Sequence, residues 1–272
     1  MLKNVYGTKD RIFVNTEIGC KASCQYCYMP SILGNAGIQH ITASKVIEEV
    51  KNIERIGIYV PGRDNTIISM GCYSECLYQS NIDDTIELIK YFAKKDNYIQ
   101  MVTKQSIPSV VYEVIKSSRS FKNQINVYIS MPTYSKINTI EKGTAGLEER
   151  IRNIELCLEN EINVVLYIKP FLENMTLNDL DYYIDLTKKY RTAVVVGNYL
   201  SVEKSDIIAD VGEKKLYEKE KKQSMKFFMN ELSKYTDVYS HSIEYIEYIR
   251  KEDARDGAST TFAGKSNYNS IE

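Results

Sequence analysis

Apolar residues follow two alternating patterns over the first 200 residues of the chain. Short runs rich in β-branched residues predict six strands, at residues 11–15, 66–70, 98–102, 125–130, 163–168 and 193–196. Longer stretches with helical spacing predict five intervening helices, at residues 43–57, 82–95, 107–118, 146–160 and 177–190. This alternation predicts a parallel sheet covered by helices, either open and doubly wound or curled into a full or partial barrel. Six strands are too few for a closed eight-stranded barrel.

The pattern changes after the sixth strand. Residues 213–234 are highly charged but keep apolar residues at helical spacing, which predicts a helix packed on the preceding sheet. A second helix, rich in Tyr and Ile, is predicted at 241–251. The small and polar tail from Asp253 is interpreted as either a flexible end or a flap that orders over a site. We therefore expect a core at residues 1–200 and a helical C-terminal extension at residues 201–272.

Composition and charge exclude several classes of protein. Hydrophobic residues make up 43% of the chain and charged residues 26%, so most of the chain is expected to fold. A formal net charge of −1 provides no overall attraction to nucleic acid. No apolar run approaches the roughly 20 residues that span a bilayer. The first residues, MLKNVYGTKDR, lack the apolar core of a secretory signal, and we expect a cytoplasmic protein with no membrane partner.

Three of the six cysteines lie within eight positions, directly after the first predicted strand. In a reducing compartment, clustered thiols indicate metal binding or catalysis before disulfides. A structural zinc site normally takes four ligands, and the candidates for a fourth are His40, Cys72 and Cys76. An iron–sulfur cluster held by three thiolates instead leaves one iron open to bind a small molecule. Both kinds of site remain open at this point.

The cluster motif resembles a known family. The spacing Cys20-x-x-x-Cys24-x-x-Cys27, with Tyr26 before the last cysteine, is similar to the signature of the radical S-adenosylmethionine (radical SAM) enzymes. The resemblance implies a partial (β/α)6 barrel of the TIM type and a [4Fe-4S] cluster whose open iron chelates SAM. It further implies a one-electron donor such as flavodoxin or ferredoxin, whose electron cleaves SAM to a 5′-deoxyadenosyl radical that abstracts a substrate hydrogen.

The resemblance also suggests SAM contacts at the strand ends. Many family members have a Gly-Gly-Glu-like segment after the second strand, and the corresponding segment here contains Gly71 and Ser74. Lys104 and Ser130, at the ends of the third and fourth strands, are similar to SAM-contacting residues of the spore photoproduct lyase branch. Arg150, on the fourth helix, is a further candidate for the SAM carboxylate, with a solvated helix position as its alternative.

The same branch suggests a radical-quenching thiol. Its enzymes have tyrosines flanking the last cluster cysteine, as Tyr26 and Tyr28 do here, and a hydrogen-donor cysteine after the second strand, where this chain has Cys72. An ordinary buried thiol is the alternative for Cys72. Lys169 and Asn198 follow the fifth and sixth strands and are candidate substrate contacts, because loops at these strand ends converge on one face.

The substrate and the reaction stay open. The resemblance to the lyase branch favours a nucleic-acid or nucleotide lesion as substrate, and a peptide epimerised with Cys72 as hydrogen donor is the second enzymatic alternative. A non-catalytic iron–sulfur or zinc-binding regulator is the alternative from another class of protein. The regulator hypothesis predicts metal binding without SAM cleavage.

Overall fold

A computed structural model describes residues 2–197, 199–200 and 223–263 of the chain. Its strands are β1 (Val5–Gly7), β2 (Arg11–Val14), β3 (Glu17–Ile18), β4 (Ser23–Cys24), β5 (Gln39–His40), β6 (Ile67–Met70), β7 (Ile99–Thr103), β8 (Ile125–Ser130), β9 (Glu141–Lys142), β10 (Asn163–Ile168), β11 (Phe171–Leu172), β12 (Ala193–Val196), β13 (Tyr199–Leu200) and β14 (Val238–Tyr239). Its helices are α1 (Met29–Leu33), α2 (Ala43–Arg55), α3 (Ile82–Ala93), α4 (Ser109–Ser118), α5 (Ile137–Ile140), α6 (Leu147–Glu159), α7 (Glu173–Thr176), α8 (Leu180–Tyr190), α9 (Gln223–Leu232) and α10 (Ser242–Ala263).

The main sheet has eight strands in the order β1-β2-β6-β7-β8-β10-β12-β14. All neighbouring strands are parallel except β1, which runs antiparallel to β2. The six predicted strands are β2, β6, β7, β8, β10 and β12, and together with their helices they confirm the partial (β/α)6 barrel. The sequence pattern missed β14, because its two residues are too short to show a period.

The strand register aligns the carboxyl ends of neighbouring strands. Val14 of β2 pairs with Met70 of β6, and Met70 pairs in turn with Met101 of β7. The residues that follow these strands therefore meet along one edge of the sheet. This is the edge at which parallel α/β folds assemble their ligand sites.

The outer face of the sheet packs against the helices of the βα units. Ile12 and Val14 belong to a large core with residues of α2, α3 and α4, and Leu166 and Ile168 belong to a second core with residues of α8 and α9. Because most strand residues are buried on both faces, the strands are continuous apolar runs rather than alternating ones. The predicted helix on residues 213–234 corresponds to α9 over its described part, and residues 213–222 lie outside the described residues.

The sequence places the start of the fifth predicted helix too early. Thr176 belongs to the short preceding helix α7, since its Oγ1 accepts the Leu172 N–H at 2.8 Å and donates to the carbonyl of Pro132. Helix α8 begins only at Leu180, with Asp179 as the preceding cap residue. Thr176, which directly precedes the predicted helix, thus closes the turn before it and does not cap that helix.

Helix α10 covers the inner face of the sheet. Tyr245, Ile246 and Ile249 pack against a cluster of strand residues that comprises Ile67, Tyr98, Tyr128, Val165 and Val195. The tail from Asp253 is therefore neither a flexible end nor a flap up to Ala263, since it continues this helix; residues 264–272 lie outside the described part. Within the described residues, no helix combines the length and apolar character that crossing a bilayer requires. The boundary at residue 200 between the core and the C-terminal extension stays a prediction.

A buried ion pair joins α6 to the segment before it. Nη1 of Arg150 lies 2.5 Å from Oε2 of Glu141, and neither side chain is exposed. The guanidinium also donates to the carbonyls of Ser130 and Ala145 and to Oγ1 of Thr144. Burial raises the pKa of Glu141 to about 7, although Arg150 acts to lower this pKa. The pair thus fixes the position of a charged group inside the fold, close to the carboxyl ends of the strands.

Replacing Asp253 with Ala is expected to lower the free energy of unfolding by about 2–3 kcal/mol, because hydrogen bonds to charged groups are lost and a buried hydroxyl is left unpaired. Asp253 accepts from Tyr98 at 2.6 Å and from Asn123 at 2.7 Å, and it pairs with Arg63 at 3.1 Å. The measurement is urea unfolding followed by circular dichroism. The neighbouring Glu252→Ala removes only an exposed ion pair with Arg255, and it should change stability by less than about 0.5 kcal/mol. Equal losses in the two variants would contradict this role of Asp253.

Arg150→Met is expected to lower the free energy of unfolding by about 3 kcal/mol, since it leaves the Glu141 carboxyl buried without its guanidinium partner. Adding Glu141→Gln to this variant should recover part of that loss, because the uncompensated charge is then gone as well. Arg152→Met on the same helix is the control, with a side chain that is 54% exposed. Denaturant unfolding of the wild type, Arg150→Met, Glu141→Gln and the double variant measures the coupling. Strictly additive losses would contradict an energetic link between the two residues.

Candidate active site

The loop that carries the three clustered cysteines is attached to the rest of the fold at two points. Its N-terminal part is attached to the segment after β6, since the Gly19 N–H donates to the Tyr73 carbonyl at 3.1 Å. Its central part forms the strand β4, which pairs antiparallel with β9 so that Cys24 lies opposite Glu141. Gly19 has a φ of +108°, and a Cβ there would lie 3.2 Å from the Cα of Ile38, so this bend favours glycine.

A cavity of about 310 Å³ opens at the carboxyl ends of the strands, beside this loop. Ten of the residues that the sequence analysis selects line it: Cys20, Cys24, Tyr26, Cys27, Tyr28, Gly71, Cys72, Ser74, Lys104 and Lys169. The selected residues come from the ends of three strands, β6, β7 and β10, and from the cysteine loop. The fold therefore brings together residues that are far apart in the chain, such as Cys20 and Lys169.

The thiols of the loop are partly buried, and this affects their protonation. Burial raises the pKa of Cys24 to about 12, while nearby Lys104 acts to lower it. Burial also raises the pKa of Cys20, whose thiol lies 3.9 Å from the hydroxyl of Tyr78. A soft metal that binds these sulfurs must therefore displace protons, as is usual for thiolate ligands.

The segment after β6 depends on Gly71. This residue has a φ of +80°, and a Cβ there would lie only 2.3 Å from the carbonyl oxygen of Val102. Glycine at this position therefore permits a close backbone approach, and the group that approaches is the neighbouring strand β7. Glu75 strengthens the same junction, because its carboxylate accepts from Oγ1 of Thr103 at 2.7 Å and from the Lys104 N–H at 2.8 Å.

Glu141 contacts both an aromatic residue of the cysteine loop and the nearby Lys104. It accepts a hydrogen bond from the Tyr26 hydroxyl, and Nζ of Lys104 lies 3.7 Å from its Oε1. The same Nζ lies 5.6 Å from the centre of the Tyr26 ring. Lys104 thus presents a cation to the cavity from a defined position. Sequence reasoning missed Glu141, because β9 is only two residues long and carries no pattern.

Cys72 has a tyrosine partner that the sequence analysis did not select. The hydroxyl of Tyr6, on β1, donates to Sγ of Cys72 at 3.1 Å. The ring of Tyr6 is stacked between Phe13 and Tyr73, with ring centres 4.8 Å apart on each side. Burial and the nearby thiol raise the pKa of Tyr6. The hydroxyl of Tyr26, one of the two tyrosines that flank the last cluster cysteine, instead hydrogen-bonds to Glu141.

Two of the selected residues do not line the cavity, and a third lies outside the described residues. Arg150 is fully buried in its contacts with Glu141, so its guanidinium is neither a solvated group, as the alternative held, nor free to meet a ligand. Ser130 is 1% exposed at the end of β8, and its Oγ has no hydrogen-bond partner among the described residues. Strand alternation places Ser130 on the same inner face as Tyr128. Asn198 lies outside the described residues.

The donor set fits an iron–sulfur cluster. Three thiols line the same cavity, and soft sulfur ligands favour iron–sulfur clusters or zinc over hard cations. Among the described side chains, no three His, Cys, Asp or Glu residues converge on one metal-ion position. Two of the three other candidates for a zinc ligand are engaged elsewhere: His40 contacts Asp84 at 2.9 Å, and the buried thiol of Cys76 lies 3.4 Å from the Val102 carbonyl. The third, Cys72, lines the same cavity and accepts a hydrogen bond from Tyr6. Cys20, Cys24 and Cys27 are thus the residues that would hold a cluster.

Solved structures with a similar fold bind SAM. A mutant of spore photoproduct lyase with bound AdoMet and dinucleoside spore photoproduct superposes with a TM-score of 0.59 and 11% identity, covering 84% of this chain and 75% of that chain. SuiB of Streptococcus suis bound to S-adenosylmethionine gives a TM-score of 0.58 and 13% identity, covering 86% of this chain and 51% of SuiB. This chain therefore spans about half the length of SuiB. At these identities, the likeness shows the fold alone.

No curated protein matches the sequence. The family model for the radical SAM superfamily matches residues 14–187, which is more than half of the 272 residues and includes the cysteine loop and four of the six predicted strands in full. The match begins at the end of β2, directly before the cysteine motif, and it ends within α8. The chain belongs to the radical SAM superfamily.

Proposed function

We propose that this protein is an enzyme that binds a cluster, SAM and a substrate in the cavity at the carboxyl ends of its strands and uses Cys72 to quench the substrate radical. The cofactors of its superfamily are a [4Fe-4S] cluster and SAM, as the sequence predicts. When bound, they together supply a 5′-deoxyadenosyl radical, which abstracts a hydrogen atom from a substrate. The observation that carries the proposal is that the three clustered thiols, Lys104 and Cys72 line the same cavity.

The residues around the cavity support a division of tasks. Cys20, Cys24 and Cys27 would hold the cluster. Lys104 would bind the carboxylate of SAM, because Glu75 fixes its backbone and Glu141 fixes its ammonium group. Gly71 and Ser74, which follow β6 and line the cavity, would also contact SAM. The Oγ of Ser130 is buried and has no hydrogen-bond partner among the described residues. The contact with SAM that the sequence predicts for Ser130 would supply that partner.

Cys72 and Tyr6 support a hydrogen-transfer step. The thiol gives its hydrogen atom to the substrate carbon radical, so that a C–H bond forms, the S–H bond breaks and an unpaired electron remains on sulfur. Tyr6 then restores the thiol by transferring its phenolic hydrogen across the 3.1 Å contact. The remaining tyrosyl radical is reduced by one electron from an external donor, such as flavodoxin or ferredoxin, and one proton from solvent. Tyr28, which also lines the cavity, is a further candidate for this relay.

The likeness to spore photoproduct lyase makes a nucleotide lesion the first substrate to assay. A peptide that is epimerised with Cys72 as hydrogen donor is the second, because the same quenching step suits both reactions. In each case the wall formed by Phe13, Tyr73 and Tyr167 would contact the substrate, and these rings exclude water from a reactive carbon radical. Lys169 is the candidate contact at the far end of the cavity.

The reconstituted and reduced protein is expected to form 5′-deoxyadenosine from SAM, and the Cys20/Cys24/Cys27→Ala variant is not. The wild-type protein should bind about four irons per chain. Chromatography of the quenched reaction measures 5′-deoxyadenosine, and chemical analysis measures iron. Cys157→Ala is the matched control, because it removes a thiol that is buried in the core away from the cavity. A fully loaded cluster whose spectrum SAM does not perturb would contradict the enzyme and favour the regulator.

Turnover in D₂O tests the quenching step, because a thiol hydrogen exchanges with solvent. With dinucleoside spore photoproduct as the assay substrate, the wild-type product should carry deuterium and the Cys72→Ala product should not. Tyr6→Phe should retain the first quenching event but slow later turnovers by about tenfold or more. Mass spectrometry of the products is the measurement. Identical products from wild type and Cys72→Ala would contradict quenching by Cys72. If neither protein forms a product, the same assay is carried out with a peptide substrate.

A further inference from the structure

We infer that Arg11 and Lys169 form an anion subsite that binds an acidic group of the substrate, a carboxylate or a phosphate. The inference rests on the proposed function, since it assigns part of the same cavity to the substrate. It adds a charge requirement to a substrate that the cluster motif alone leaves undefined.

Both cations are directed to the inside of the barrel. Arg11 begins β2, where Ile12 and Val14 face the helices, so alternation places Arg11 and Phe13 on the inner face. Lys169 directly follows β10. Both residues line the main cavity, and both also line a small recess of about 30 Å³ that continues from it toward α10. The two side chains are therefore neighbours at one end of the substrate space.

The two side chains are held in place by neutral contacts. Nη1 of Arg11 donates to Oγ of Ser242 at 3.0 Å, and its guanidinium lies 4.6 Å from the centre of the Phe13 ring. The stem of Lys169 passes beside Gly197, and Nζ lies 5.8 Å from the centre of the Tyr167 ring. These contacts orient both cations, but they leave their charges uncompensated.

The charge balance of the cavity favours an anion. Three cations line it, namely Arg11, Lys104 and Lys169, against one carboxylate, Glu75. The oxygens of Glu75 already accept hydrogen bonds from Thr103 and Lys104, and Lys104 itself lies beside Glu141. In the part of the chain that the structure describes, no carboxylate lies within 4.0 Å of Arg11 or Lys169. Half-buried cations without a partner are costly, and a bound anion offsets that cost.

The surroundings define the ligand further. A guanidinium with free N–H groups binds the paired oxygens of a carboxylate or phosphate in a fixed orientation, and an ammonium adds a second point of attachment. Phe13 and Tyr167 flank the two cations, so the acidic group would be attached to an apolar or aromatic body. The subsite thus selects amphiphilic small molecules or short segments with one acidic end.

Calorimetry on anaerobically reconstituted, unreduced protein saturated with SAM tests the subsite. The probes are uridine 5′-monophosphate against uridine, for a phosphate, and N-acetylglutamate against N-acetylglutamine, for a carboxylate. At least one anion is expected to bind about tenfold or more tightly than its neutral counterpart. Arg11→Gln and Lys169→Gln should each remove most of this preference, while Arg11→Lys should keep part of it. The anion that shows the preference identifies which of the two groups the subsite takes.

The control variants are Arg152→Gln and Lys188→Gln, which remove exposed cations from helices α6 and α8 and should keep the preference. Equal binding of anions and neutral counterparts by the wild type would overturn the inference. So would an unchanged preference in Arg11→Gln and Lys169→Gln, including the case in which these variants weaken SAM binding instead. A protein that binds anions through the two residues but never cleaves SAM would refute the proposed function and leave the subsite intact.

Discussion

The inner face of the curved sheet must be covered at one end and left open at the other, and the site depends on this division. Helix α10 covers one end with Tyr245, Ile246 and Ile249. Its first residue, Ser242, already belongs to the cavity, where its carbonyl accepts from Gln100 at 2.9 Å and its hydroxyl accepts from Arg11. The C-terminal segment therefore forms the floor of the cavity in addition to its role in the core.

Elements with a regular period could be predicted from the sequence, and isolated contacts could not. The six strands and five helices of the barrel follow from apolar spacing, because each packs a repeating face against a neighbour. The cysteine motif is local, so its spacing alone defines it. Glu141 and Tyr6 lie on strands of two and three residues, and only the folded chain brings them to Lys104 and Cys72.

Charged residues were the hardest to assign from sequence. Arg150 has the sequence context of a solvated helix residue, with Glu148, Glu149 and Arg152 around it, yet it is fully buried. Its partner lies nine positions away on another element, and no local pattern indicates the pair. Arg11 is the opposite case, because the alternation of β2 indicates from the sequence alone that its side chain lies on the inner face of the sheet.

The cavity has two sides with different chemistry. The thiol side is built from one short loop and is stabilised by Glu141, which contacts Tyr26, Lys104 and Arg150 together. The opposite side is built from strand ends and carries the cations that lack carboxylate partners among the described residues. Substrate specificity can therefore change by substitution at strand ends without disturbing the loop, which is how one barrel supports different reactions.

The pairing of β4 with β9 has a consequence for local unfolding. The two strands share a short antiparallel ladder in which Cys24 lies opposite Glu141, and the Gln25 N–H donates to the Ile140 carbonyl at 2.9 Å. Opening of the segment from α5 to β9 must therefore break contacts with the cysteine loop. Any ligand that holds this loop raises the free energy of that opening by mass action. Amide hydrogens around residues 137–142 thus serve as reporters of events at the thiols, although none of these residues carries a sulfur.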